Sequence, residues 1–161
     1  MVLHVLHEEE RKRKRLGRKE KERILAELSE QAYVFYAIAF DAGLRTGEIL
    51  GLRRSDFRNG EIHVQRAMVL GKIVDVKTDK GREVLCTPRI LEAIKQLPTN
   101  LNGHMWVNPV KGNQITYAHN HFNERWNTAI KKAGVRFRIP YNCRHTYASI
   151  GLSAGSDPQW L

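Results

Sequence analysis

The chain has 161 residues, 42% of them apolar and three of them Trp, which suffices for one domain with a core and argues against general disorder. Its 27 Lys/Arg against 17 Asp/Glu give a formal net charge of +10 and a pI near 9.9, the balance of a protein that meets a polyanion, because each cation set against a phosphate releases condensed counterions. Two cysteines, Cys86 and Cys143, exclude a disulfide framework or a Cys-rich zinc site; the longest apolar run, Ala32 to Phe40, is too short to span a bilayer; and no secretory signal is visible, so an intracellular, reducing compartment is expected.

Residues 1–15 read as a basic linker segment carrying Arg11, Lys12, Arg13, Lys14 and Arg15, whose like charges repel and keep it solvated. Laid along a DNA backbone, such a segment adds affinity without specificity. The positive excess is not confined to it, since residues 24–161 still hold a net +6. From Arg18 the pattern turns helical, with Ile24, Leu25 and Leu28 on one face. Gln31 to Ala42 reads as a nearly all-apolar second helix that must be buried, and Gly43 is placed to end it in the left-handed conformation. The chain then reverses through Leu44-Arg45-Thr46-Gly47 into a short helix with Glu48, Ile49, Leu50 and Leu52, which sets Arg45 at a corner near helical N–H groups, a natural oxyanion site.

Glu61 to Gln65 alternates as a strand, Val69 to Val76 is expected as a second around Gly71, and Arg82 to Cys86 as a third. Asp79-Lys80-Gly81 supplies the turn before the third strand, so Lys77 falls at the rim of a small antiparallel sheet. Pro88 to Leu97 and Tyr117 to Ala133 carry helical periodicity, and a last helix runs from Tyr141 to Ala154 and ends at Gly155. The fold class expected is α+β, mostly α: a helical bundle with one three-stranded antiparallel sheet on its flank. Ser156-Asp157-Pro158 is a helix-start signal followed by only three residues, so the sequence reads as truncated there.

Among candidate site residues, Arg45 alone is compatible with a surface arginine at a turn. Arg144 is harder to dismiss, because Tyr141, Cys143, Tyr147 and Ala148 surround it in a segment that packs inward, and a buried arginine needs an anionic partner. Glu48 can pair with either arginine, or serve only as a first-turn carboxylate. Lys77 and Lys80 compete for one turn. His119 and His121 are two residues apart on an expected helix and face different ways, with no third ligand nearby, and His63 and His104 are isolated, so no metal site is assigned.

Leu44-Arg45-Thr46-Gly47-Glu48, Val76-Lys77-Thr78-Asp79-Lys80-Gly81-Arg82 and Tyr141-Asn142-Cys143-Arg144-His145, in this order, resemble the catalytic domain of the tyrosine recombinases, the phage-integrase family. The resemblance covers about Leu16 to Leu161, so residues 16–161 are expected to be a partial catalytic domain. It implies site-specific breakage and rejoining of double-stranded DNA through a 3′-phosphotyrosyl link, without metal or other cofactor, in a bacterial cytoplasm, by a homo-oligomer assembled on DNA through a further C-terminal segment. Arg45 and Arg144 would bind the non-bridging phosphate oxygens, Lys77 would protonate the leaving 5′-oxygen, Tyr141 would support and Glu48 would hold an arginine. Lys80, Arg82 and the basic linker would contact DNA. Tyr33, Tyr36, Tyr117, Tyr141 and Tyr147 all precede or fall within the second arginine box, so none matches the family's nucleophile, and the chain as given is expected to bind DNA without cleaving it. The short first arginine box resembles the integrases more than type IB topoisomerases. A non-catalytic DNA-binding module, or a recombinase remnant, is the alternative.

Overall fold

The apolar run expected to be buried is the helix around which the others pack. In the computed structural model, which describes residues 7, 9, 10, 14–76 and 81–155, helix α1 (Arg18–Ala26) leads into α2 (Glu30–Asp41), whose residues Val34 to Phe40 are all buried. A helix apolar on every side belongs in the interior, and α2 packs against α1, the short α3 (Thr46–Leu50), α4 (Pro88–Lys95) and α6 (Asn142–Ser153). Phe35 stacks on Phe122 at 4.1 Å between ring centroids and meets Trp106 edge-on at 5.5 Å, while Tyr36 and Phe40 flank Trp126. Both buried indoles also find acceptors: Trp106 donates to the Ile49 carbonyl at 2.6 Å and Trp126 to that of Arg138 at 2.7 Å. The first of these bonds anchors the end of α3 to the core.

Charged residues fasten the outer helices to α2. Asp41, near its C-terminus, receives Lys21 of α1 and, at 3.0 Å, the hydroxyl of Thr87, the N-cap of α4. Arg89 of α4 bonds Glu22 of α1 at 2.6 Å. Leu16 is buried and donates its N–H to the Thr146 hydroxyl at 3.0 Å, so the start of α1 is tied to α6 across 130 residues.

The three-stranded antiparallel sheet is present, but its strands are not all those expected. Its order is β1 (Phe57–Arg58), β2 (Glu61–Val64), β5 (Arg82–Leu85). Val69 to Val76 is not one of its strands: β3 (Arg66–Val69) and β4 (Lys72–Asp75) form a separate two-stranded ribbon. Leu70 and Gly71, at φ 48° and 76°, make a two-residue turn that reverses the chain within the segment read as one strand. The missing third strand comes from Asn59-Gly60, whose φ values of 54° and 76° close an equally tight hairpin between β1 and β2. Asn-Gly between segments that alternate polar and apolar residues, here with Phe57 and Ile62 on either side, is a strong hairpin signal, and β1 was legible from it.

The expected helix from Tyr117 to Ala133 is also divided. His119–Asn123 form a π-turn before α5 (Glu124–Lys132), with the Asn123 N–H reaching the Ala118 carbonyl at 3.1 Å. The wide turn lets Ala118, Phe122 and Trp126 all face the core.

Two glycines set the seat of α3. A Cβ at Gly47 would lie 2.6 Å from the Met68 carbonyl oxygen, and one at Gly51 would lie 3.0 Å from the Ala67 Cα, so β3 runs directly against the helix backbone. Gly→Ala within a helix ordinarily stabilises by about 0.5–1 kcal/mol. Here the sign reverses: Gly47→Ala is expected to destabilise by roughly 1–3 kcal/mol, because backbone must move to admit the methyl. Urea unfolding of the two proteins measures it, and unchanged or raised stability would contradict the close approach.

Candidate phosphate-binding site

The corner between α2 and α3 gathers the charged residues singled out in the sequence. Gly43, at φ 64°, ends α2 in the left-handed conformation, and the ring of Tyr147 fills the place a side chain would occupy, since a Cβ there would come within 2.1 Å of it. Arg45 then takes the N-cap position of α3. Glu48, three residues on, turns its carboxylate back: Oε2 accepts the Arg45 N–H at 2.7 Å, and Oε1 lies 3.3 Å from the Arg45 guanidinium. The same Oε2 accepts Nη2 of Arg82, the first residue of β5, at 2.9 Å. Glu48 is only 6% exposed. Its pairing with Arg45 is one of the two that the sequence left open, the other being Arg144; its second partner is Arg82.

Arg144, in the first turn of α6, reaches the same corner from the opposite side by donating to the Gly43 carbonyl, two residues before Arg45. Burial first, and then the neighbouring charges of Arg45 and Arg82, draw the Arg144 guanidinium below its usual range, while Glu48 and Tyr141 act in the other direction. The three arginines therefore share one electrostatic neighbourhood. Arg45 keeps 58% of its side chain exposed, so the cluster opens to solvent. Tyr141 is the N-cap of α6, is 43% exposed, and stands edge-on to the His145 ring at 5.1 Å. Burial, followed by the charges of Lys14 and Arg144, lowers the pKa of His145.

Lys77, Lys80, Arg11, Lys12 and Arg13 lie outside the described residues. Lys14 and Arg15 are exposed, with Lys14 bonded to Glu10 at 2.6 Å. Cys143 is fully buried, and burial pushes its thiol well above the usual range; Cys86 is half-buried and shifted the same way by burial and by Glu61. His119 is exposed, and His121 lies 3.4 Å from the Asn108 amide. His63, isolated in sequence, is not isolated in space: its Nδ1 is 3.2 Å from Glu83 across the sheet. No described helix is long and apolar enough to cross a membrane.

A cluster of guanidinium groups around a single carboxylate is suited to a tetrahedral oxyanion, for which arginine supplies paired, planar donors. Glu48→Ala should leave Arg45 and Arg82 without this acceptor and lower stability by roughly 2–3 kcal/mol, discounted from the fully buried case because both guanidinium groups are partly exposed. Chemical denaturation reports the loss. In combination with Arg82→Ala it should fall short of the sum of the single losses, and strict additivity would show that the pair is not coupled.

Residues 14–161 match the family model described as "Phage integrase family". The chain is 28% identical over 165 residues to Prophage integrase IntR of Escherichia coli (strain K12), an alignment that takes in 81% of this chain and 39% of IntR. It spans about two fifths of the length of the curated relatives it matches. Among solved structures, the Tn1549 transposon integrase in complex with a circular intermediate DNA superposes with a TM-score of 0.71 at 19% identity, over 90% of this chain and 55% of that one. XerA recombinase gives a TM-score of 0.71 at 22% identity, over 91% of this chain and 52% of its own. These likenesses establish the shared fold.

Proposed function

The chain belongs to the phage integrase family, and we propose from this that its arginine cluster binds the scissile phosphate of double-stranded DNA during site-specific strand cleavage and rejoining. The observation that carries the reading is the convergence of Arg45, Arg82 and Arg144 on one corner, close enough that two of them perturb the third. That a relative of the same fold is described in complex with DNA supports the choice of polyanion.

In this reading the exposed guanidinium of Arg45 and that of Arg144 approach the non-bridging oxygens from two sides. As a tyrosine oxygen attacks phosphorus and the bond to the 5′-oxygen breaks, charge grows on those oxygens and the fixed cations offset it. The departing 5′-oxygen takes a proton from Lys77. Arg82 acts through Glu48: it helps fix the carboxylate that orients Arg45. Tyr141 lends a hydrogen bond to the phosphate, and the basic residues of the leading segment add backbone contacts.

The attacking tyrosine is assigned to a position C-terminal to the second arginine box, as the family resemblance implies. Tyr36 is buried, with its hydroxyl pushed far up by burial; Tyr147 packs over Gly43 and Tyr117 over Gly71. Tyr141 falls within the second arginine box itself, ahead of where the family resemblance implies the nucleophile. Assembly of several protomers on one DNA site follows from the need to exchange strands.

The test is trapping on nicked suicide substrates that carry candidate recombination sites, read on denaturing gels. A form extended beyond Leu161 should give a covalent protein–DNA product, and the 161-residue chain should bind the same DNA without one. Arg144→Ala in the extended form should cut the yield by at least about a hundredfold, the scale of removing one preorganised donor from a developing oxyanion. An Arg144→Ala variant that bound DNA and still formed the adduct at a comparable rate would sink the assignment. DNA binding without an adduct from any form would indicate a module that only occupies its sites.

A further inference from the structure

The outer face of the three-stranded sheet brings together Glu61, His63 and Glu83. Glu61 and His63 are two apart on β2 and so share a face, opposite Ile62 and Val64, which are buried in the core. Glu83 on β5 is the direct cross-strand partner of His63. One ligand atom from each of the three residues lies within 4.8 Å of the others. From this geometry we propose that Glu61, His63 and Glu83 form a divalent transition-metal site, with Zn²⁺ as the fitting ion, that clasps β2 to β5.

Three features favour it over a plain ion pair. His63 alone can neutralise only one of the two carboxylates, whereas a divalent cation offsets both. The His63 side chain is only 15% exposed, which fixes its ring with Nδ1 turned to Glu83 as the atom available to an ion. The donor set, one imidazole and two carboxylates, is of the kind that Zn²⁺ takes with a further position open to water. Ligand atoms of a tetrahedral zinc site stand about 3.4 Å apart. The Nδ1 to Glu83 distance of 3.2 Å already meets that spacing, and Glu83, 59% exposed, is free to adjust its rotamer. The site is separate from the arginine cluster but next to it in sequence, since Glu83 follows Arg82 directly; an ion there would hold β5 where Arg82 meets Glu48.

The experiment uses the 161-residue chain, stripped with chelator, titrated with ZnCl₂ by calorimetry and with Co²⁺ by visible absorption. Binding of one equivalent is expected, with Tm rising by roughly 5 °C at about a hundredfold excess over Kd. His63→Ala should abolish the d–d absorption, and Glu61→Gln, a conservative change on the exposed face, should weaken binding at least about tenfold. His119→Ala should change neither. Absence of saturable binding, or one-equivalent binding that survives both His63→Ala and Glu61→Gln, would overturn the proposal. So would loss of binding on His119→Ala, which would place the ion elsewhere.

Discussion

The carboxylate of Glu48 is the point on which the functional corner depends. A loop that reverses between two helices has no ladder of its own, so its geometry must be fixed by side chains. Glu48 does this by accepting the Arg45 N–H and by holding guanidinium groups from α3 and from β5. One buried acid thus joins a helix start, a loop and the edge of a sheet that lies 34 residues away. Because the acid is almost fully enclosed, its charge is worth more here than at the surface, and its removal leaves more behind than a missing contact.

The same device recurs a few residues on. Asp56 accepts the N–H of Arg53, three residues before it, at 2.7 Å, and receives the guanidinium of Arg66, at the start of β3, also at 2.7 Å. Both acids are buried, both cap a short helical turn, and both are met by an arginine that opens a strand. The pair of clamps fixes the sheet and the ribbon relative to α3, while Trp106 ties α3 to the aromatic core and the glycines at 47 and 51 allow β3 to close on it. The placement of Arg45 is therefore the outcome of packing on three sides. Such rigidity would serve the proposed site, since misplacement by an ångström is costly.

What could be read in the sequence follows the range over which each signal acts. Helix α2 was legible because burial on all faces leaves an unbroken apolar run, and Arg45 and Arg144 were legible because each sits in a short local motif. The ribbon was not, because Leu70 carries a bulky side chain at positive φ, a position for which sequence gives no cue. Nor was Arg82's attachment to Glu48, or His63's to Glu83: each is decided by strand register, which brings together residues that are 34 and 20 positions apart. The Asn59-Gly60 hairpin is the different case of a local signal, carried by the dipeptide itself.

The arginine cluster is held together against its own electrostatics. Within it Arg144 has its pKa lowered first by burial and then by the charges of Arg45 and Arg82, with Glu48 acting in the other direction. An arginine does not lose its proton under such pressure; the strain stays in the fold as repulsion. Any anion that enters the corner relieves it, and a phosphate, with several acceptor oxygens, relieves it for more than one arginine at once. In the proposed reaction, a dianion-like transition state would relieve it further than a phosphodiester monoanion. Repulsion among the arginines would thus favour, in that reaction, the state with most negative charge, which is how a fixed set of cations favours reaction over mere binding.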